Sequence, residues 1–364
     1  MNASLSPCAT LLRSAGRTIP FASILLVTGG LVILGWALWS YLNPGPAPYA
    51  YRLVKEGKAD QFPGLGLADR KDPKDLVVRQ YELRAEDFDK PVAVAHVAGD
   101  KGGPVLLQWK SRSPEPILYL TPPAADTAAL AEAVAKHVDA KALVLAWWDT
   151  SRRLKVLGGV PVLFDANLGM PVLVPTPWRA RRSAIDALEH EFWQVPRLGE
   201  TQALFESFVE ALLADEESGA AKLRELAGER EAYVIVHVVD AYKLGALQPK
   251  RFGIGYKDFP TGGNFHALLA HVKDWLRAQG YDSYTAAAGS ESGSARVYFF
   301  TDKSSADTLA ARMLPFSTSD PTRLAALHLV YQRSGYWVYR LSRAENREHA
   351  AATAESSKAR TTKP

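Results

Sequence analysis

Apolar and polar positions along the chain fall into runs of distinct period. The first is a continuous apolar run, Phe21–Leu42, inside the stretch 18–51 that carries no charged residue. A helix needs about 20 such residues to cross the hydrocarbon core of a bilayer. Trp36, Trp39 and Tyr41 cluster at its end, where amphipathic rings favour the interface. Asn43-Pro44-Gly45-Pro46 then stops the helix, since proline lacks the amide N–H. Beyond it, Val92–Ala98 and Pro104–Trp109 read as strands joined by a glycine-rich turn. Ala124–Val138 carries helical spacing at Leu130, Val134 and Val138. Ala142–Trp148 and Ala232–Val239 are unbroken apolar runs, which suit strands buried on both faces of a parallel sheet. Arg179–Trp193, Thr201–Ala227 and Gly262–Gln279 read as helices and Ala295–Phe300 as a strand. Leu327–Tyr331 and Tyr336–Leu341 flank Gln332-Arg333-Ser334-Gly335 and predict a hairpin.

Strands alternating with helices argue for an α/β fold. The expected architecture is a single N-terminal transmembrane helix followed by an exported α/β domain with a mostly parallel central sheet and a C-terminal β-hairpin. Its boundaries are a cytoplasmic N-terminus (1–20), an anchor (21–42), a tether with little regular structure (43–75), the α/β domain (76–343) with a small N-terminal β subdomain at 76–120, and a disordered tail (344–364).

Composition changes this picture little: 364 residues with 47% hydrophobic and 23% charged are ordinary for a globular chain. Charge does more. Of the net +4, most lies in the two ends, and the nearly balanced body offers no footprint for nucleic acid. Arg13 and Arg17 precede the anchor and no base follows until Arg52, so the positive-inside rule keeps the N-terminus cytoplasmic. The bulk of the chain is then periplasmic, on an inner-membrane single-pass anchor. The lone cysteine, Cys8, precedes the anchor. The exported body therefore has no thiolate for a metal, nucleophile or disulfide, and no C-x-x-C-H for a c-type haem. No cofactor, no metal site and no catalytic residue is assigned.

Candidate chemistry collects at strand ends, where open α/β sheets bind ligands. Trp147-Trp148-Asp149 follows the first buried run. Adjacent Trp residues on a strand face opposite sides, and Asp149 suits a helix N-cap or a pair with Arg152. Asp240 ends the second buried run, followed by Tyr242 and Lys243. Asp149 with Asp240 or Asp258 would make a carboxylate pair. The loop 255–266, with Asp258, Asn264 and His266, precedes a helix and suits an anion or a simple cap. Ligand contacts are thus expected from Trp147, Trp148, Asp149, Arg152, Asp240, Tyr242, Asp258, Asn264 and His266. The bland alternative for each is a core ring, a cap or a connecting loop.

Longer strings carry a resemblance. PAPYAYRLV after the anchor, LVLAWWDTSRRLKVLGG, RELAGEREAYVIVHVVDAYKLG, GYKDFPTGGNFHALL and ARMLPFSTSD are similar to the hydroxylamine oxidation protein family HaoB. That resemblance implies a membrane-anchored periplasmic accessory of nitrification. It would assemble or tether the multihaem hydroxylamine oxidoreductase, or another periplasmic redox protein, at the cytoplasmic membrane. It supplies no catalytic residues. A second, local resemblance is of Trp147-Trp148-Asp149 to the Trp-Trp-Asp-Tyr-Gly motif of the oligosaccharyltransferase catalytic subunit, with Thr150 and Ser151 at the last two positions. It implies an exported domain that recognises a peptide or saccharide at this strand end.

Overall fold

The computed structural model describes residues 21–42, 45–67, 76–86, 88–100, 102–113, 115–196, 199–261, 265–288 and 293–342. The expectations for 1–20, for 344–364 and for Asn264 lie outside them. The chain forms two units, 1–46 and 47–364.

The first unit holds helix α1, Phe21–Leu42. It is apolar all round, and Leu26 and Trp36 are among its exposed side chains. Such a helix lacks the polar stripe of one that faces water. Among the described residues no helix is long and apolar enough to cross a membrane.

The second unit contains three sheets. The first, in order β1-β2-β3-β4, is an antiparallel meander. Its strands are Tyr49–Lys58, Val77–Ala85, Ala93–Asp100 and Gly103–Ser111. The expected tether is therefore corrected. Residues 49–58 form the edge strand, paired from Tyr49 opposite Ala85 to Lys58 opposite Val77, and the β layer begins near 49 rather than 76. The tyrosines decide this, because Tyr49 and Tyr51, two apart, turn to the same covered face.

The second sheet runs β10-β11-β6-β5, with β5 at Leu143–Ala146, β6 at Ala232–His237, β10 at Leu327–Arg333 and β11 at Tyr336–Leu341. Only β5 and β6 are parallel; β6–β11 and β11–β10 are antiparallel. The mostly parallel sheet is therefore corrected to a mostly antiparallel one. The cause is the late hairpin, whose second strand docks directly on β6. Its Ser334-Gly335 turn has both φ values positive, as a type I′ turn requires. The wholly buried runs in β5 and β6 come from helices on both faces. Helix α2 (Ala124–His137) and helix α3 (Trp148–Gly158) contribute to one core cluster.

Helix α4 covers Arg182–Phe192. Helices α5 (Glu200–Leu213) and α6 (Glu216–Ala227) supply much of the other core face. They replace the single helix expected at 201–227. Asp215 interrupts it by accepting the Ser218 amide at 3.0 Å, a side-chain N-cap. After β6 comes helix α7 (Val238–Leu247). The third sheet, β7-β9-β8, is antiparallel: Ile254–Pro260, Ser294–Phe300 and Tyr284–Ala288. Helix α8 (Phe265–Gln279) closes a small core on it through Leu268, Val272 and Leu276.

Candidate functional site

Two helices begin at the carboxyl end of the parallel pair. β5 ends at Ala146 and α3 starts at Trp148; β6 ends at His237 and α7 starts at Val238. This brings Asp149 and Asp240 together, each in the first turn of its helix. The partial positive charge of a helix N-terminus favours a carboxylate there. The expected shared sheet edge is thus present, but the two acids do not form a free pair. Lys243 Nζ lies between them, 2.9 and 2.8 Å from the Asp149 oxygens and 3.3 Å from Asp240 Oδ1. Arg153 Nη2 stands 3.8 Å from Asp149 Oδ2. All four charged groups are buried or nearly so.

The shell around them is also satisfied. Arg153, wholly buried, donates to the Asp149 and Pro122 carbonyls and to Thr127 and Thr150 Oγ1. Thr127 also bonds the Tyr336 hydroxyl at 2.7 Å. His237 caps α7 reciprocally: its Nδ1 accepts the Val239 amide, and its own amide donates to Asp240 Oδ2 at 2.9 Å. With Nδ1 accepting, the neutral ring donates from Nε2 to the Ser334 carbonyl, 3.2 Å away. A Cβ on Gly335 would come within 2.5 Å of that Nε2, so the turn needs glycine for space as well as for φ.

Titration follows the same geometry. Burial would raise Asp149, yet Lys243 and Arg153 outweigh it and hold the carboxyl below its ordinary range. Asp240 is raised by burial, with Lys243 offsetting only part. His237 is lowered to about 3 by burial and by nearby Lys243. Asp149, Asp240, Lys243 and Arg153 thus form one closed network of ion pairs and hydrogen bonds.

The remaining expected residues divide. Trp147 is the N-cap of α3 and Trp148 its first residue, so neither lies on the strand. Trp147 is buried edge-to-face on Phe205, and Trp148 donates to the Met170 carbonyl. Asp149 is not the cap and does not pair with Arg152. The turn of α3 directs Arg153 to it, while Arg152 reaches the carbonyls of Gly102, Gly103 and Pro104 in the β3–β4 turn. The hollow bounded by Trp148, Asp149 and Arg152 measures about 20 Å³, room for about one water. Tyr242 packs on Tyr256 and Tyr298. Asp258 is held by Arg296 at 2.6 and 2.7 Å on the third sheet. His266 lies in α8. Among the described residues no three His, Cys, Asp or Glu side chains gather as a metal-holding group.

A second buried acid was not foreseen. Glu189, on α4, is fully buried beneath the first sheet. It accepts from Tyr49 at 2.6 Å, from Tyr51 at 2.9 and 3.0 Å, from Tyr119 at 2.7 Å and from Trp193 Nε1 at 2.8 Å. Among the described residues no cation is a hydrogen-bond partner of Glu189. Burial raises its carboxyl against the pull of those donors, and raises Tyr51 and Tyr119 as well. The only sequence signal is the i, i+4 spacing of Glu189 and Trp193; the tyrosines come from distant strands and loops.

Comparison with known proteins identifies a family. The family described as HaoA-associated protein HaoB matches residues 15–341. No curated protein matches the chain. Among solved structures the chain is similar to the crystallised C-terminal domain of C. jejuni PglB. Identity is 13%, with 59% of this chain and 99% of that chain covered, at a TM-score of 0.35.

Proposed function

The chain belongs to the HaoB family of HaoA-associated proteins, and from that premise we propose that it is a membrane-anchored periplasmic accessory of hydroxylamine oxidation, docking the multihaem hydroxylamine oxidoreductase at the membrane. The observation that carries this reading is the family match, which spans nearly the whole chain. The site chemistry supports it. The acids at the strand end are consumed by Lys243, Arg153 and main-chain amides, an arrangement that stabilises a scaffold rather than turning over a substrate. The anchor is α1: its apolar, exposed side chains favour lipid over water, and Arg13 and Arg17 on its N-terminal side set its direction.

The test is affinity purification of the full chain from solubilised native membranes. The eluate is scanned for the haem Soret band and identified by mass spectrometry. The expected result is retention in the membrane fraction and stoichiometric recovery of a multihaem oxidoreductase. A colourless eluate without a haem protein would overturn the docking role. Release of the chain into the soluble fraction by alkaline carbonate would overturn the anchor.

A further inference from the structure

The rings beneath the first sheet differ in chemistry from those of the main core. There the touching rings are mostly phenylalanine: Phe164, Phe205 and Phe208 meet one another, and Phe300 stacks on Phe316. A phenylalanine ring is a hydrocarbon and resists one-electron oxidation. The cluster beneath the first sheet holds four tyrosines and three tryptophans, with Phe192 the one phenylalanine among them. Phenols and indoles give up one electron far more readily than benzene rings do.

These rings form a continuous series with a proton acceptor inside it. Tyr81 lies 6.4 Å from Tyr51 between ring centres, Tyr51 6.5 Å from Trp109, and Trp109 5.4 Å from Tyr119. Trp193 joins the two inner tyrosines, at 6.2 Å from Tyr51 and 5.6 Å from Tyr119. Gaps of this size are short for electron tunnelling. The series reaches the surface at Tyr81, which lines a hollow of about 190 Å³ beside Phe192. At its inner end the Tyr51 and Tyr119 hydroxyls both donate to Glu189 Oε2, at 2.9 and 2.7 Å. A phenol that loses an electron becomes a strong acid, and a carboxylate already bonded to its hydroxyl takes the proton directly. Stability alone does not ask for this acid, since an anion held by neutral donors is costly to bury.

We propose that this aromatic cluster is a one-electron relay in which Glu189 is the proton acceptor. A one-electron oxidant of the radical class, for example nitrogen dioxide, meets Tyr81 at the hollow. Through Tyr81 it draws one electron from Tyr51 or Tyr119 and leaves as its anion, here nitrite. The O–H bond of that tyrosine breaks and its proton passes to Glu189 Oε2. The products are a neutral tyrosyl radical, a neutral Glu189 and the reduced anion. A reductant such as ascorbate then returns the electron, and Glu189 returns the proton. The inference does not depend on the docking role proposed above.

The experiment uses the full chain in detergent, oxidised by flash-generated ruthenium(III) tris-bipyridine. Transient absorption and electron paramagnetic resonance read the radical. The expected product is a neutral tyrosyl radical. Glu189→Gln keeps a hydrogen-bonding side chain but accepts no proton, and should lower the tyrosyl yield by about tenfold. Tyr51→Phe with Tyr119→Phe keeps the rings and should move the radical to tryptophan. Tyr331→Phe, outside the cluster, should change nothing. Circular dichroism checks that each variant is folded. High-field resonance on the unmodified protein needs no variant: a protonated Glu189 donates back to the phenoxyl oxygen and lowers the largest g value. A tyrosyl yield unchanged in both cluster variants would overturn the relay, because the radical would then form on tyrosines elsewhere. So would a g value typical of a tyrosyl radical without a hydrogen bond.

Discussion

Two sites of the second unit that bury acid treat it in opposite ways. At the strand end, Asp149 and Asp240 face Lys243 and Arg153, cation against anion in a closed set. Beneath the first sheet, Glu189 has no cation among its bonded partners in the described residues and is held by three tyrosine hydroxyls and an indole. The consequence shows in titration: Asp149 is lowered, while Glu189 is raised. Full charges outweigh the desolvation of Asp149, whereas neutral dipoles around Glu189 only partly offset it. A buried acid is therefore set by the charge of its neighbours more than by the number of hydrogen bonds it receives. Asp240 sharpens the point. It shares Lys243 with Asp149 but holds it at 3.3 Å against 2.8 Å, and it is raised.

The comparison breaks most sharply if its cation is removed. Lys243→Met keeps the length of the side chain and leaves two acids facing each other with only Arg153 nearby. Removing one member of a buried ion set costs about 3–5 kcal/mol, because the remaining charge stays buried and unpaired. Urea unfolding at neutral pH measures it. A loss below about 1 kcal/mol would mean that the network relaxes into water and is not the closed set described. Lys243→Met with Asp240→Asn should recover part of the loss, since the two residues touch and their effects are not additive.

Acid titration separates His237 and Asp149 from Glu189 by sign. His237 is lowered to about 3 in the native state, so between an unfolded value near 6.5 and that value the unfolded chain holds the extra proton. Stability from this residue is present above pH 6.5 and is lost as pH falls, at up to about 1.4 kcal/mol per pH unit. Asp149, also lowered, loses its contribution in the same direction at lower pH. Glu189 is raised, so the native state keeps its proton longer. Its contribution is full at low pH and is lost as pH rises through its native value. His237→Asn retains a capping side chain and should flatten the acid slope. Glu189→Gln removes the opposing contribution and should steepen it. Unfolding free energies from pH 7 to 4 decide the matter, and two unchanged slopes would defeat the assignment.

These centres were unequally legible in the sequence. Asp149 and Asp240 follow buried strands, and a strand followed by a helix puts its end at a sheet edge whatever the rest of the topology. Their meeting was therefore readable. The spacing of Asp240 to Lys243 and of Asp149 to Arg153 was also on the page, at i+3 and i+4, but Arg152 was the nearer partner in sequence. The helical turn, not sequence distance, selected Arg153. The sheet was misread because a continuous apolar run reports burial on two faces, not the direction of its neighbours. β11 is antiparallel to β6, yet β6 is buried along its whole length. Glu189 was hidden because its partners at 49 and 51, at 119 and at 193 come from three separate segments. Reading 43–75 as a tether also removed two of its donors from consideration.

The smallest effect tests whether the neutral donors around Glu189 act on its charge. Tyr119 donates from a buried position at 2.7 Å, whereas Tyr51 is only part-buried and spreads its bond over both oxygens. Tyr119→Phe should cost about 1 kcal/mol and Tyr51→Phe a few tenths, because water can replace the second donor more easily than the first. Both rings keep their packing, Tyr51 stacked on Phe192 at 3.7 Å and Tyr119 edge-on to Trp193 at 5.6 Å, so the hydroxyl alone is tested. If these hydroxyls stabilise an anion, the cost should shrink as the pH is lowered and Glu189 takes up its proton. A protonated acid can donate to a tyrosine oxygen and needs fewer donors in return. Equal costs at pH 7 and pH 4 would instead make the cluster an aromatic core whose hydroxyls are satisfied whether or not the acid is charged. The contrast with Asp149 would then lie in packing rather than in electrostatics.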